Sequence, residues 1–321
     1  MFEALSKDNK ELIHSQFIKY LITYHNEKFY KDFLGIEPLT GDVEVETSFT
    51  NGKEKGRFDI IVKDDDTIKL VIENKFKSFP YAEQLEKYDN YFKAAEMSPK
   101  RILLTFDNEI TESLVGNEDW ELKDYSKLLD FCGELPKNNY EDHSLFLSHY
   151  VEFLQEYVDK FQKIKTKGLS TIEKENNKNR GFWKSLVYHI VTSKVSLEIS
   201  NKYAVTVFSG RQFEPGFVIE NRNKEVKKGH FLLDGNECWL EYQNGVFKLK
   251  FGKSNYDNLR GNDDLKEIAK TNGYSFYNKP RTGVESFSMI KKEIDYKNLD
   301  LDAFAKIIVE EFKIFKTKFN L

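Results

Sequence analysis

Between Arg57 and Tyr88 the chain reads RFDIIVKDDDTIKLVIENKFKSFPYAEQLEKY. Residues 58–62 and 68–72 are short runs rich in Ile and Val, and the polar stretch 63–67 separates them. Such a pair with a turn signal between predicts a β-hairpin. Three charged residues interrupt it: Asp59, Glu73 and Lys75. Side chains alternate across a strand, so Glu73 and Lys75 share one face and Asn74 points to the other. A buried carboxylate or ammonium is costly unless it is paired or bound to a metal. Two acids and a lysine on neighbouring strands therefore point to a site rather than to a core.

An aspartate, thirteen residues, then Glu-Asn-Lys, followed by a helix carrying Gln84-Leu85 and Tyr88, resembles the PD-(D/E)XK nuclease superfamily. Within it the chain is similar to a bacterial branch with the same Asp-Ile, Ile-Glu-Asn-Lys and Gln-Leu core, and the likeness spans residues 8–160. Phe58 stands where the name-giving proline would be, and proline supplies no ligand. The competing reading is a surface hairpin with an exposed Glu–Lys pair. Asp59, the following helix and the Gln84/Tyr88 spacing agree in favouring the nuclease.

The resemblance implies a site and a reaction. Asp59 and Glu73 are hard oxygen ligands suited to Mg²⁺, with Mn²⁺ as a substitute. The backbone carbonyl of Asn74 adds a ligand, Lys75 holds the attacking water or the phosphorane charge, and Gln84 lies near the reacting groups. Glu11 has two readings. It forms an acidic capping box with Asp8, or it faces the metal through a water, as a first-helix Glu does in many members. The resemblance implies phosphodiester hydrolysis of DNA, the residues by themselves leave RNA open, and restriction, repair and phage defence are candidate roles. The alternative is a catalytically inactive nucleic-acid-binding or scaffold protein on the same fold. Two carboxylates facing an absent cation repel each other, so neutralising Asp59 or Glu73 is expected to leave the metal-free fold as stable as before.

The remaining chain places this motif in an α/β (α+β) frame. A helix over 8–33, a strand over 43–50, the hairpin, a helix from 81 to 95 and the apolar run 101–106 make an αβββαβ restriction-endonuclease-like core with a mixed sheet. Helices are expected near 125–132 and 143–163. His14 reads as a helix-face histidine. His143 and His149 are too far apart for a paired metal site on one helix face. Residues 166–180 are polar and read as a connection, so the expected domains are 1–165, nuclease-like, and 166–321, α+β and a candidate for substrate recognition. In the second, strands are expected at 203–208, 216–220, 238–242 and 246–251, and helices at 182–195, 265–271 and 301–318. Arg211, Lys253, Arg260 and Arg281 are candidate phosphate contacts there.

The formal net charge is -4, so any grip on nucleic acid must come from lysines and arginines gathered locally. The two cysteines, Cys132 and Cys238, match no metal or disulfide framework. No signal-like or membrane-spanning apolar run is present, and a cytoplasmic protein away from the membrane is expected.

Overall fold

A computed structural model of the chain describes residues 10–76, 82–106, 119–135, 141–172, 177–200, 202–208, 215–221, 231–233, 235–252, 261–277 and 286–319, with 174 and 259 singly. The chain divides into two compact units, Met1–Phe161 and Gln162–Leu321.

The first unit opens with helix α1, Lys10–Tyr24. The single helix expected to 33 does not hold. The chain breaks at His25 and continues through Asn26–Lys28 into a π-helical turn, Phe29–Leu34, ended by Gly35 at φ 72. Packing explains the wider turn: Phe29, Tyr30, Phe33 and Leu34 are all buried, with Phe29 and Phe33 both against Phe131.

Strands β1 (Asp42–Asn51), β2 (Glu54–Asp64) and β3 (Thr67–Asn74) form an antiparallel meander. The β2–β3 turn is tighter than residues 63–67 suggested, because the strands pair out to Asp64 and Thr67. Helix α2 (Ala82–Ala94) then precedes β4 (Lys100–Thr105), which pairs parallel to β3. A fifth strand not expected from sequence, β5 (Glu121–Asp124), pairs parallel to β4 and completes the order β1-β2-β3-β4-β5. Its four residues are mostly polar and carry no strand signal. It is held by Lys100 on Glu121, at 2.6 Å, and by Arg101, which bridges Asp89 of α2 and Asp119 ahead of β5. Helices α3 (Tyr125–Glu134) and α4 (Glu141–Lys167) follow, α3 capped by the Asp124 carboxylate on the Lys127 N–H.

Leu85, Tyr88 and Phe92 of α2 pack with Phe49, Phe58, Ile61, Val71 and Leu103 of the sheet. Phe58 and Ile61 share this cluster although they are three residues apart, so strict alternation fails between them, at Asp59. Opposite that break, between the pairs Val45–Ile60 and Thr47–Phe58, Glu46 has φ 58.

In the second unit the described residues of the expected connection over 166–180 are largely helical. Helix α4 runs to Lys167, a 3₁₀ turn spans Leu169–Ile172, and α5 (Asn177–Glu198) starts earlier than the expected 182. Buried Leu169 and Ile172 draw the stretch onto a core that local polarity does not reveal. The sheet runs β11-β12-β10-β9-β7-β6, with β8 paired to β9. Its strands are β6 (Tyr203–Phe208), β7 (Gly216–Asn221), β8 (Phe231–Leu233), β9 (Asn236–Gln243), β10 (Val246–Gly252), β11 (Ser275–Phe276) and β12 (Ser286–Glu293). β8, β11 and β12 were not among the expected strands. Helices α6 (Asp263–Thr271) and α7 (Leu301–Lys318) complete the unit, with Phe304, Ile308, Phe312 and Phe315 of α7 buried. Among the described residues no helix is long and apolar enough to cross a membrane.

Candidate active site

The β2–β3 ladder ends at the pair Ile60–Ile72, which makes Asp59 and Glu73 the next two residues on their strands. There a side chain takes over from the backbone ladder: the Asn74 N–H donates to Asp59 Oδ2 at 2.8 Å. The Asp59 carboxylate is half-buried, and one of its oxygens is positioned by the chain between Glu73 and Lys75.

Glu73 is fully buried and Lys75 nearly so, at 8% exposure. Glu73 Oε1 accepts from Lys75 Nζ at 2.6 Å and from Gln84 Nε2 at 2.7 Å. The Lys75 N–H donates to Leu104 O at 2.9 Å, so the central strand β4 holds the lysine's backbone. The second Gln84 N–H goes to Tyr88 Oη, also at 2.7 Å, which satisfies both donors of that amide. Tyr88 in turn donates to the Arg57 carbonyl at 2.8 Å. Burial, and then the Glu73 charge, push the Tyr88 phenol well above its ordinary range and keep it a proton donor. Gln84 therefore sits at the Glu73 carboxylate.

Asn74 points to the opposite side of the sheet, as alternation predicts. Its Nδ2 donates to Ser15 Oγ of α1 at 3.1 Å, and its Oδ1 accepts from the Tyr125 hydroxyl of α3. All three residues are buried. Sequence reading missed Ser15 and Tyr125. Neither stands in a motif, and they meet Asn74 only because both helices pack on the same face of β3. His14 is also buried. It shares a 2.7 Å hydrogen bond with Tyr150 and stacks on Phe76, which makes it part of the core beneath the site.

Glu11 lies in the first turn of α1, but its side chain, like all of Asp8, falls outside the described residues. The side chain of His143 does too, and so do Arg211, Lys253, Arg260 and Arg281. Glu44 is drawn away to Thr47 and Lys63, whereas Glu46 forms a 2.7 Å ion pair with Arg57 beside Asp59.

The donor set near the β2–β3 end is two carboxylates and a backbone carbonyl, all hard oxygens. Among the described residues no group of three or more His, Cys, Asp or Glu side chains forms a cage. Mg²⁺ keeps several waters and takes only one or two protein carboxylates, so this chemistry fits it.

A family model described as the PD-(D/E)XK nuclease superfamily matches residues 1–152. Over those residues the chain is similar to that superfamily. No curated protein and no solved structure matches the chain. Members of the PD-(D/E)XK superfamily are typically nucleases that use divalent metals, and their substrate is nucleic acid. The mixed five-stranded sheet with its flanking helices is the restriction-endonuclease-like arrangement.

Proposed function

We propose that the chain is a Mg²⁺-dependent nuclease that hydrolyses phosphodiester bonds of nucleic acid, with DNA favoured over RNA as the reading of its substrate and Mn²⁺ as a substitute metal. The observation that carries this reading is the sharing of Glu73 Oε1 by Lys75 and Gln84, while Asn74 between Glu73 and Lys75 ties down Asp59. Asp59, Glu73 and the Asn74 carbonyl are the proposed metal ligands, and Glu11 reaches the metal through water. A cation held there would withdraw charge from the scissile phosphate and lower the pKa of a nearby water. Lys75 supplies a fixed positive charge toward the oxygens that become more negative in the transition state. Gln84 fixes the rotamer of Glu73, and Tyr88 fixes Gln84. The second unit serves substrate recognition, in a cytoplasmic protein of restriction, repair or phage defence.

The test incubates the protein with linear, circular, single-stranded and branched DNA, and with RNA, in Mg²⁺, Mn²⁺ or EDTA. The expected result is cleavage of DNA that EDTA stops and Asp59→Asn abolishes. No cleavage of any substrate in either metal overturns the reading. One observation favours the second reading, a non-catalytic nucleic-acid-binding or scaffold protein: Lys75 and Glu73 form a buried ion pair through Glu73 Oε1. Salt-sensitive binding without cleavage would identify the binding protein.

A further inference from the structure

The second unit's sheet has two unlike faces. Phe247, Leu249 and Phe251 of β10, with Leu240 and Tyr242 of β9, are buried on one. The alternating residues Lys248, Lys250 and Trp239 face the other way and are partly exposed. On that face the ladder aligns Ser275, Lys291, Lys248 and Glu241 in one row across four strands. Lys248 and Lys291 stand directly opposite each other, a placement that costs stability in an antiparallel pair. A depression of about 480 Å³ lies over them, lined also by Ser275 and Tyr277. Tyr277 is 47% exposed, and Lys291 Nζ lies 4.0 Å from its ring centroid. Trp239 carries Lys250 Nζ at 5.6 Å in the same way.

The face is not uniformly basic. Glu241 holds Lys248 at 3.2 Å and Lys250 at 2.8 Å, and Glu293 lines the depression as well. It is a mixed patch in which like charges are opposed at one point and aromatic rings flank that point. A bound phosphate would relieve the opposition, with the Ser275 hydroxyl as a neutral donor. An exposed ring beside it offers a stacking surface to a base, which only an unpaired strand can present.

We propose that this face binds an unpaired polynucleotide strand, with a phosphate between Lys248 and Lys291 and a base stacked on Tyr277. The proposal extends the nuclease reading by giving the second unit a strand to hold. Its test is run without metal, so that it stands or falls separately from cleavage. Fluorescence anisotropy in EDTA would follow binding of labelled oligothymidylate and oligouridylate of about twenty nucleotides, and of the matching duplex. The parent is expected to bind single strands more tightly than duplex, and the tighter of the two single strands assigns the sugar. In Lys248→Ala/Lys291→Ala, affinity should fall about tenfold or more, with the salt slope reduced by roughly 0.7 for each phosphate no longer neutralised. Lys248→Ala also takes one of its two lysine partners from the buried Glu241, which keeps Lys250 at 2.8 Å, so a modest fall in melting temperature is expected. Lys291→Ala alone leaves that pair intact and should weaken binding with the melting temperature at the parent value or above, which separates weakened binding from impaired folding. Tyr277→Ala should weaken single-strand binding about tenfold and leave duplex binding unchanged.

No binding by the parent overturns the proposal. So does retention of parent affinity in both variants, or competition by polyglutamate of matched charge as effective as that by oligothymidylate. Binding that tracks Lys248, Lys291 and Tyr277 in a protein that cleaves nothing would uphold this surface and remove the nuclease reading alone.

Discussion

Glu73 and Asp59 are both acidic, but their surroundings give their substitutions different consequences. The repulsion expected from sequence applies to Asp59, which is half-buried and accepts one backbone N–H. It does not govern Glu73, whose counter-charge is already in place 2.6 Å away on a lysine that water scarcely reaches. Glu73→Gln takes the charge from opposite the Lys75 ammonium, and Lys75→Met takes it from opposite the Glu73 carboxylate. Breaking a buried pair typically costs about 3–5 kcal/mol. Thermal melts in EDTA should therefore show Asp59→Asn within about 1 kcal/mol of the parent, and the other two well below it. In Mn²⁺ titrations followed by the same melts, Asp59→Asn and Glu73→Gln should lose the metal-induced rise. Lys75→Met should keep it, because a positive charge beside a cation opposes binding. Equal destabilisation by all three with no metal response in the parent would mean a purely structural cluster. Tyr125→Phe tests the other side of β3. It leaves the buried Asn74 Oδ1 without that hydroxyl donor, at a cost of about 1–3 kcal/mol. If Asn74 positions the site, the metal concentration for half-maximal effect should rise while nucleic-acid affinity in EDTA stays unchanged. Unaltered metal dependence would make the Tyr125–Asn74 hydrogen bond a matter of stability only.

The β1–β2 hairpin is where element geometry meets the site. Phe49 pairs across the strands with Gly56, and a Cβ on Gly56 would collide with the Phe49 ring. That ring also stacks on Phe58 at 4.4 Å, next to Asp59. Gly56→Ala must push the ring off its place, and overpacking of this kind costs about 1–3 kcal/mol. A melt at parent stability would show that the ring finds another position freely. One strand over, the left-handed backbone of Glu46 is of the kind that costs on the order of 1–3 kcal/mol in a non-glycine residue and recurs at functional sites. Here it lies opposite Asp59 and brings the Glu46 carboxylate to Arg57.

For the whole molecule, acid stability should be governed partly by His189 on α5. Burial alone lowers its pKa to about 4. An unfolded chain restores the ordinary value of about 6.5, so below that pH the unfolded state binds a proton that the folded state refuses. The contribution is fully present above pH 6.5 and lost as pH falls toward 4, amounting to roughly 1–3 kcal/mol. Melts across that window should show a fall in Tm that His189→Gln reduces. An identical pH profile in the variant would place the acid sensitivity elsewhere. The net charge of -4 gives no long-range pull on a polyanion, so any hold on nucleic acid has to come from local groups.

The sequence by itself determined the centre of the first unit. Two short Ile/Val-rich strands, a polar turn and a helix with Leu85, Tyr88 and Phe92 at helical spacing are local patterns. Periods of two and of 3.6 residues decide which side chains share a face. Asp59, Glu73, Lys75 and Gln84 could thus be assembled from spacing and resemblance alone. Tertiary structure decided what depends on distant partners. β5 exists because β4 offers it a parallel edge, and the 3₁₀ turn Leu169–Ile172 forms because its two end residues find a core. Asn74 is gripped by residues 59 and 51 positions away in the chain. The ion pair that makes Glu73 unlike Asp59 was legible as a pairing of residue types. Its burial was not, because burial is a property of everything packed around a residue and no local pattern contains it.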